Sequence, residues 1–161
     1  MNNIRNKSIL LVDDDERMLR ALVKVLTGEG AVTTCASWAG DAISILTERQ
    51  KPMDLVITDL RMPFVTGLTV VYAIHEVFPD LPVIVFTALG SPEIKAECLR
   101  EGAAAFLEKP LNTTQLLEAV EMVFTSQTSK QHATESGMDK ESPAPRKKSP
   151  KRRNSIEGVN A

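Results

Sequence analysis

The sequence has few cysteines and no long apolar run, and each shortage argues against a class of protein. Its two cysteines, Cys35 and Cys98, lie far apart and form no CxxC pair. We therefore expect neither a disulfide scaffold nor a cysteine zinc site, and we predict a cytoplasmic location. No apolar run approaches the ~20 residues of a membrane-spanning helix. Residues 1–8 are polar and do not resemble a signal peptide, so no membrane insertion is expected.

An excess of charge of one sign is also lacking, because the net charge of the 161 residues is −2. This average conceals two unlike segments. Residues 1–125 contain 11 Lys and Arg against 17 Asp and Glu, whereas residues 126–161 contain 8 against 4 and only six apolar residues. So few apolar residues cannot offset the roughly 1–2 kcal/mol of backbone entropy lost per ordered residue. We therefore predict one domain over residues 1–125 and a disordered basic tail over residues 126–161.

Five apolar runs predict β-strands, and each is followed by a segment with helical periodicity. Three runs are apolar at every position, which is typical of strands inside a parallel sheet that is covered on both faces. This alternation predicts an α/β fold, a doubly wound five-stranded parallel sheet with helices on both faces. The predicted strands are Ile9–Val12, Val32–Cys35, Leu55–Ile57, Val83–Phe86 and Ala105–Leu107.

Capping residues mark the start of several predicted helices. Asp15 precedes the first helix, and Asn112 precedes the fifth. Ser91 followed by Pro92 is a typical start for the fourth helix. That helix has few apolar residues on one face, so we expect it to be partly exposed.

Polar side chains stand where four of the predicted strands end. They are Asp13, Asp14 and Asp15 after the first strand, Asp59 after the third, Thr87 after the fourth and Lys109 after the fifth. The carboxyl ends of parallel strands share one edge of the sheet, and open α/β sheets bind ligands there. Two carboxylates 4 Å apart repel by roughly 4 kcal/mol at an effective dielectric constant of 20. A hard cation such as Mg²⁺ relieves this repulsion. The pattern therefore predicts a Mg²⁺-dependent site for a phosphoryl group attached to an aspartate.

Four motifs surround these strand ends in a fixed order. They are LVDDDE at 11–16, DLVITDLRMP at 54–63 with Gly67, VFTA at 85–88 and FLEKP at 106–110. Together, over residues 8–125, they resemble a stand-alone, chemotaxis-regulator-like receiver domain of response regulators, the phospho-acceptor of two-component signalling. The resemblance implies strand order 2-1-3-4-5. It also implies a phosphoprotein that assists its own phosphorylation and dephosphorylation rather than an enzyme.

The resemblance assigns a role to each residue of the acidic site. Asp59 is expected to accept the phosphoryl group from the phosphohistidine of a histidine kinase. Asp14 and Asp59 are expected to bind Mg²⁺ directly, Asp13 through water, and Arg61 through its backbone carbonyl. In this family Arg61 and Leu89 also occupy positions where the side chain tunes the phosphoryl lifetime.

The resemblance also assigns the groups that respond to phosphorylation. Thr87 is expected to move toward the phosphoryl group, Lys109 to pair with it, and Phe106 to act as the aromatic switch. The bond between Lys109 and Pro110 is expected to be cis. The fourth helix, the fifth strand and the fifth helix are expected to bind an unknown downstream protein.

Two alternatives are kept at this point. Asp13 followed by Asp15 also resembles the nucleophile and acid/base pair of haloacid-dehalogenase phosphatases, although that hypothesis leaves Asp59 without a role. Alternatively, the chain is a receiver-shaped adaptor whose basic tail binds nucleic acid. Residues 146–153 hold six Lys or Arg in eight positions. Such a run could bind nucleic acid, an anionic membrane or an acidic partner by salt-sensitive attraction, or it could be a solubilising tail that contacts its own acidic domain.

Overall fold

Strands and helices alternate along the chain as predicted. The structure is a computed structural model that describes residues 3–48, 52–62, 65–88 and 90–135. Its elements, in chain order, are β1 (Ser8–Val12), α1 (Glu16–Gly28), β2 (Val32–Ala36), α2 (Ala39–Glu48), β3 (Leu55–Thr58), β4 (Arg61–Met62), β5 (Val65–Thr66), α3 (Gly67–Val77), β6 (Val83–Thr87), α4 (Pro92–Arg100), β7 (Ala105–Glu108) and α5 (Thr113–Glu135).

The main sheet is parallel and has five strands in the order β2-β1-β3-β6-β7. With the two-residue strands β4 and β5 set aside, this is the predicted order 2-1-3-4-5. Val12 pairs with Thr58, and Thr58 pairs with Val85. Because the strands are in register, the residues that follow β1 and β3 lie side by side at one edge of the sheet.

Two apolar cores cover the two faces of this sheet. Alternate residues of one strand point to opposite faces, so Leu10 belongs to one core and Leu11 to the other. Residues of α2, α3 and α4 complete the first core, and residues of α1 and α5 complete the second. The prediction of strands apolar on both faces and helices on both sides is confirmed.

The helix starts follow the capping pattern in the sequence. The side chain of Asp15 accepts hydrogen bonds from the backbone N–H groups of Arg17 and Met18 at the start of α1. The Ser91 side chain accepts from the N–H of Ile94 at the start of α4. Cys98 is the buried residue of that helix, which confirms the expectation of a partly exposed fourth helix.

Two features of the fold differ from the sequence-based expectation. A short antiparallel pair, β4 with β5, follows β3. The last helix runs to Glu135, so the predicted domain boundary after residue 125 falls inside α5. Residues 126–135 contain neither Gly nor Pro, the two residues that most disfavour a helix interior, so this stretch is compatible with a continued helix. The remainder of the predicted tail, residues 136–161, lies outside the described residues.

Candidate functional site

Asp13 and Asp59 hold the same position on neighbouring strands, one residue past the end of β1 and β3. Each is fixed by the backbone that follows it. Asp13 Oδ1 accepts a hydrogen bond from the N–H of Asp15 at 2.9 Å, and Asp59 Oδ1 accepts one from the N–H of Arg61 at 3.2 Å. Both side chains are buried. The hydrogen bond to Oδ1 therefore fixes the orientation of each carboxylate, and Oδ2 is left to face the site between the two strands.

Lys109 joins these two carboxylates. Its Nζ lies 2.8 Å from Asp13 Oδ2 and 2.9 Å from Asp59 Oδ2. The Lys109 backbone N–H donates to the carbonyl of Thr87 at 2.8 Å, which anchors the residue to the end of β6. The same Nζ lies 5.5 Å from the centre of the Phe86 ring, close enough for a cation–π contact. The Lys109 ammonium thus lies beside residues at the ends of three other strands, β1, β3 and β6.

Burial and pairing change the protonation of this cluster in two ways. Burial raises the pKa of Asp13, although the hydrogen bond and charge of Lys109 and the N–H of Asp15 oppose this shift. Burial by itself disfavours the Lys109 ammonium, but hydrogen bonds and charges from Asp13 and Asp59 outweigh it and raise the pKa of Lys109. Lys109 therefore stays charged at neutral pH, whereas burial destabilises the ionised form of Asp13.

A third carboxylate completes the acidic cluster, which we define as Asp13, Asp14 and Asp59. One oxygen from each lies within 4.8 Å of the others. Asp14 is exposed, whereas the other two are buried. Three carboxylates and one ammonium leave an excess of two negative charges when all are ionised. Hard oxygen ligands with this excess match the preference of Mg²⁺.

The other predicted site residues lie around the acidic cluster rather than in it. Thr87 ends β6 and is buried. Phe106 lies in β7, is 9% exposed and packs in the core beside α2 and α3. Arg61 begins β4 with an exposed side chain, and Leu89 lies outside the described residues. The Lys109–Pro110 bond is cis, as expected.

Phe86 is a site residue that sequence analysis did not identify. Its ring is 2% exposed and belongs to the core beside α1 and α5, yet it also lies near the Lys109 ammonium. In the sequence Phe86 belongs to an apolar strand and immediately precedes Thr87, so nothing but its adjacency to a site residue distinguished it from a core residue.

The geometry also bears on the phosphatase alternative. That hypothesis needs the Asp15 carboxylate as an acid/base group beside Asp13. Instead, Asp15 Oδ1 accepts hydrogen bonds from Arg17 N at 2.8 Å and Met18 N at 3.4 Å. Because this side chain caps α1, the part of the chain that the structure describes gives the alternative no support.

Comparison with known proteins identifies the family. The protein-family model of the response regulator receiver domain matches residues 9–121. The chain therefore belongs to the response regulator receiver domain family, the phosphorelay components of two-component signalling, as the sequence motifs predicted. Among the described residues, no helix is long and apolar enough to span a membrane.

Several curated relatives are transcriptional regulators. The chain is 37% identical over 113 residues to the transcriptional regulatory protein GlrR of Escherichia coli (strain K12), covering 70% of this chain and 25% of GlrR. It is 30% identical over 118 residues to the DNA-binding transcriptional regulator NtrC of Proteus hauseri, covering 73% of this chain and 24% of NtrC. The chain thus spans about a quarter of the length of these relatives.

Solved structures show the same fold. A CheY-like response regulator receiver domain protein from Methanospirillum hungatei JF-1 has a TM-score of 0.72 and 28% identity, covering 78% of this chain and 98% of that one. The CheX–CheY–BeF3–Mg²⁺ complex from Borrelia burgdorferi gives a TM-score of 0.69 and 30% identity, covering 74% and 90%. The second of these proteins was solved with Mg²⁺.

Proposed function

We propose that Asp59 accepts a phosphoryl group from the phosphohistidine of a histidine kinase. In this step the phosphorus–nitrogen bond to the kinase imidazole breaks as a phosphorus–oxygen bond to Asp59 forms, and the imidazole leaves with the electron pair. The observation that supports the proposal is the bridge from Lys109 Nζ to Asp13 and Asp59, at 2.8 and 2.9 Å. It holds a buried carboxylate beside a cation that can bind the incoming phosphoryl oxygens.

Mg²⁺ is the cofactor that the acidic cluster fits best. The donors are carboxylate oxygens within 4.8 Å of one another, and Mg²⁺ binds through one or two carboxylates together with phosphate oxygens and water. We assign Asp14 and Asp59 as direct ligands, Asp13 as a ligand through water and the backbone carbonyl of Arg61 as a further ligand. The ion would offset the repulsion between the carboxylates and an incoming phosphoryl group.

The chain's own residues bind the transferred group and transmit the change. Lys109 pairs with the phosphoryl oxygens, and the Thr87 hydroxyl at the end of β6 binds another of them. Phe106, which is buried in β7, is the proposed switch that changes rotamer when Thr87 moves. Phosphorylation then shifts a two-state equilibrium that already exists in the unmodified protein.

The proposed partners are a histidine kinase and a downstream protein. The downstream protein binds the partner face, which we define as α4, β7 and α5. We propose that the chain acts as a phospho-acceptor that assists its own phosphorylation and dephosphorylation, not as a conventional enzyme. Its receiver domain occupies residues 1–125, with α5 continuing beyond them. The free cysteines Cys35 and Cys98 support the cytoplasm as its compartment.

A phosphorylation assay tests this proposal. The full chain is incubated with Mg²⁺ and acetyl phosphate, a small acyl-phosphate donor, and the modified peptide is trapped and mapped by mass spectrometry. We expect one phosphoryl group, on Asp59, that is absent without Mg²⁺ and in Asp59→Asn.

The matched control for this assay is Asp41→Asn. Asp41 is an exposed aspartate in the first turn of α2, so its loss should leave the modification unchanged. Modification of Asp13 instead of Asp59 would contradict the proposal and support phosphatase-type chemistry.

A further inference from the structure

A groove lies along the partner face, beside the outer strand β7. Its volume is about 560 Å³, and its lining includes residues of α4, β7 and α5. Phe106 and Ala119 are buried and give it an apolar part, and Met122 beside them is 67% exposed. Among the described residues, β6 is the only strand that pairs with β7. The groove therefore combines an open sheet edge with exposed apolar surface, a combination typical of surfaces that bind another segment.

The charge of this groove is predominantly negative. Glu108 and Glu118 line it, both exposed, against one cation, Lys95. Glu121 is exposed and follows Glu118 by three residues on α5, so the two lie on the same side of the helix. Residues 113–127 of this helix include no Lys or Arg. A ligand with several cations and a few aliphatic side chains would match this surface.

The chain itself contains a segment with that composition. Residues 146–153 hold six Lys or Arg in eight positions. Two aliphatic residues, Ile156 and Val159, follow them. The cations match the carboxylates of Glu108, Glu118 and Glu121, and the aliphatic residues match the apolar part of the groove.

The length of chain after α5 is sufficient for this contact. With a rise of 1.5 Å per helical residue, Ala119 lies about 24 Å from Glu135 along α5. The 11 residues from Glu135 to Arg146 can span up to about 36 Å. The first basic residues therefore reach the groove with chain to spare.

We propose that residues 146–159 dock in cis onto this groove and cover the partner face. The basic residues pair with Glu108, Glu118 and Glu121, and Ile156 and Val159 contact Met122 and Ala119. A downstream protein must then displace the segment before it binds, so the tail acts as an intramolecular competitor. The contact does not require phosphorylation of Asp59, and it can be tested separately from the phospho-acceptor role.

Amide NMR spectra of the full, unphosphorylated chain test the docking. The wild type is compared with a variant in which all six basic residues of 146–153 are changed to Gln. We expect the amides of residues 105–108 and 118–122 to differ in chemical shift between the two proteins. Raising the NaCl concentration from about 0.1 M to about 1 M shortens the Debye length from about 10 Å to about 3 Å. This change should remove most of the difference.

Matched acid variants identify the docking surface. The double change Glu118→Gln and Glu121→Gln should abolish the shift difference caused by the basic run. The change of Glu48 and Glu76 to Gln, at exposed positions of α2 and α3, should leave it intact.

Three results would overturn docking in cis. The first is that the groove amides have the same chemical shifts in the wild type and the Gln variant. This includes the case in which the basic run instead binds a random DNA duplex in a salt-sensitive way. The second is a set of changes centred on residues 13–16, which would place the tail at the acidic cluster. The third is a difference that grows with protein concentration, which would make a second copy the occupant.

Discussion

At the scale of single residues, the pKa values of Lys109 and Asp13 are both raised, with opposite consequences for stability. Pairing with two carboxylates raises the pKa of Lys109, so its contribution to stability is complete below the unfolded-state pKa. That contribution is lost only as the pH rises through the higher, folded-state pKa. Burial raises the pKa of Asp13, so the folded protein binds this proton more tightly than the unfolded chain does. Ionised Asp13 therefore lowers stability at neutral pH, a cost consistent with a site that holds carboxylates ready for a cation.

Replacement of Asp13 by Asn tests this interpretation. The variant removes the buried charge but leaves Lys109 paired with Asp59, so we expect its thermal midpoint at pH 7 to rise by a few degrees. The gain should shrink as the pH falls through the pKa of Asp13, because the wild type then becomes neutral at this position as well. Circular dichroism melts of both proteins across a pH series measure the difference. A lower midpoint for the variant at pH 7 would mean that pairing with Lys109 outweighs the cost of burial.

At the scale of elements, the sequence was most informative where one physical cause dominates. Strands β1, β3 and β6 are buried throughout or nearly so, so a continuous apolar run located each within one residue. The sequence also predicted that Asp13, Asp59 and Lys109 lie together, because the carboxyl ends of parallel strands share one edge of the sheet.

Other features depend on contacts that the sequence does not reveal. The bridge of one ammonium between two carboxylates and its contact with Phe86 depend on side-chain conformations. The pair β4 with β5 has only two residues in each strand, too few for periodicity to show. The continuation of α5 through residues 126–135 had no apolar periodicity to predict it, because Ala133 is the only apolar residue of this stretch.

Helix α4 depends on its cap more than its neighbours do, because it buries little. Ser91 Oγ accepts from Ile94 N at 3.2 Å, and loss of such a cap costs about 1 kcal/mol. We predict that Ser91→Ala raises the hydrogen exchange rate of α4 amides while those of α1 are unchanged. Ser91→Asp should restore the wild-type rates, because Asp is also a good N-cap. Equal exchange in all three proteins would show that packing of Cys98 and Ile94 alone fixes the start of the helix.

At the scale of the whole molecule, the site and the fold are coupled through the strand ends. Asp13, Asp59, Thr87 and Lys109 follow or end four different strands of one sheet. They converge only when β1, β3, β6 and β7 are in register. An unfolded chain therefore cannot present the acidic cluster, and a ligand of that cluster binds the folded state alone. Binding of such a ligand must appear as added stability of the entire domain.

Mg²⁺ should accordingly raise the thermal midpoint of the wild type. A ligand present at 100 times its dissociation constant, and specific for the folded state, stabilises it by about 2.7 kcal/mol. Asp14→Asn is the informative variant, because Asp14 is exposed and surface substitutions change stability by about 0.5 kcal/mol or less. We expect this variant to melt like the wild type without Mg²⁺ and to lose most of the gain with it. Asp41→Asn, a change at an exposed position in the first turn of α2, should keep the full gain. An equal gain in Asp14→Asn would show that Mg²⁺ binds elsewhere on the molecule.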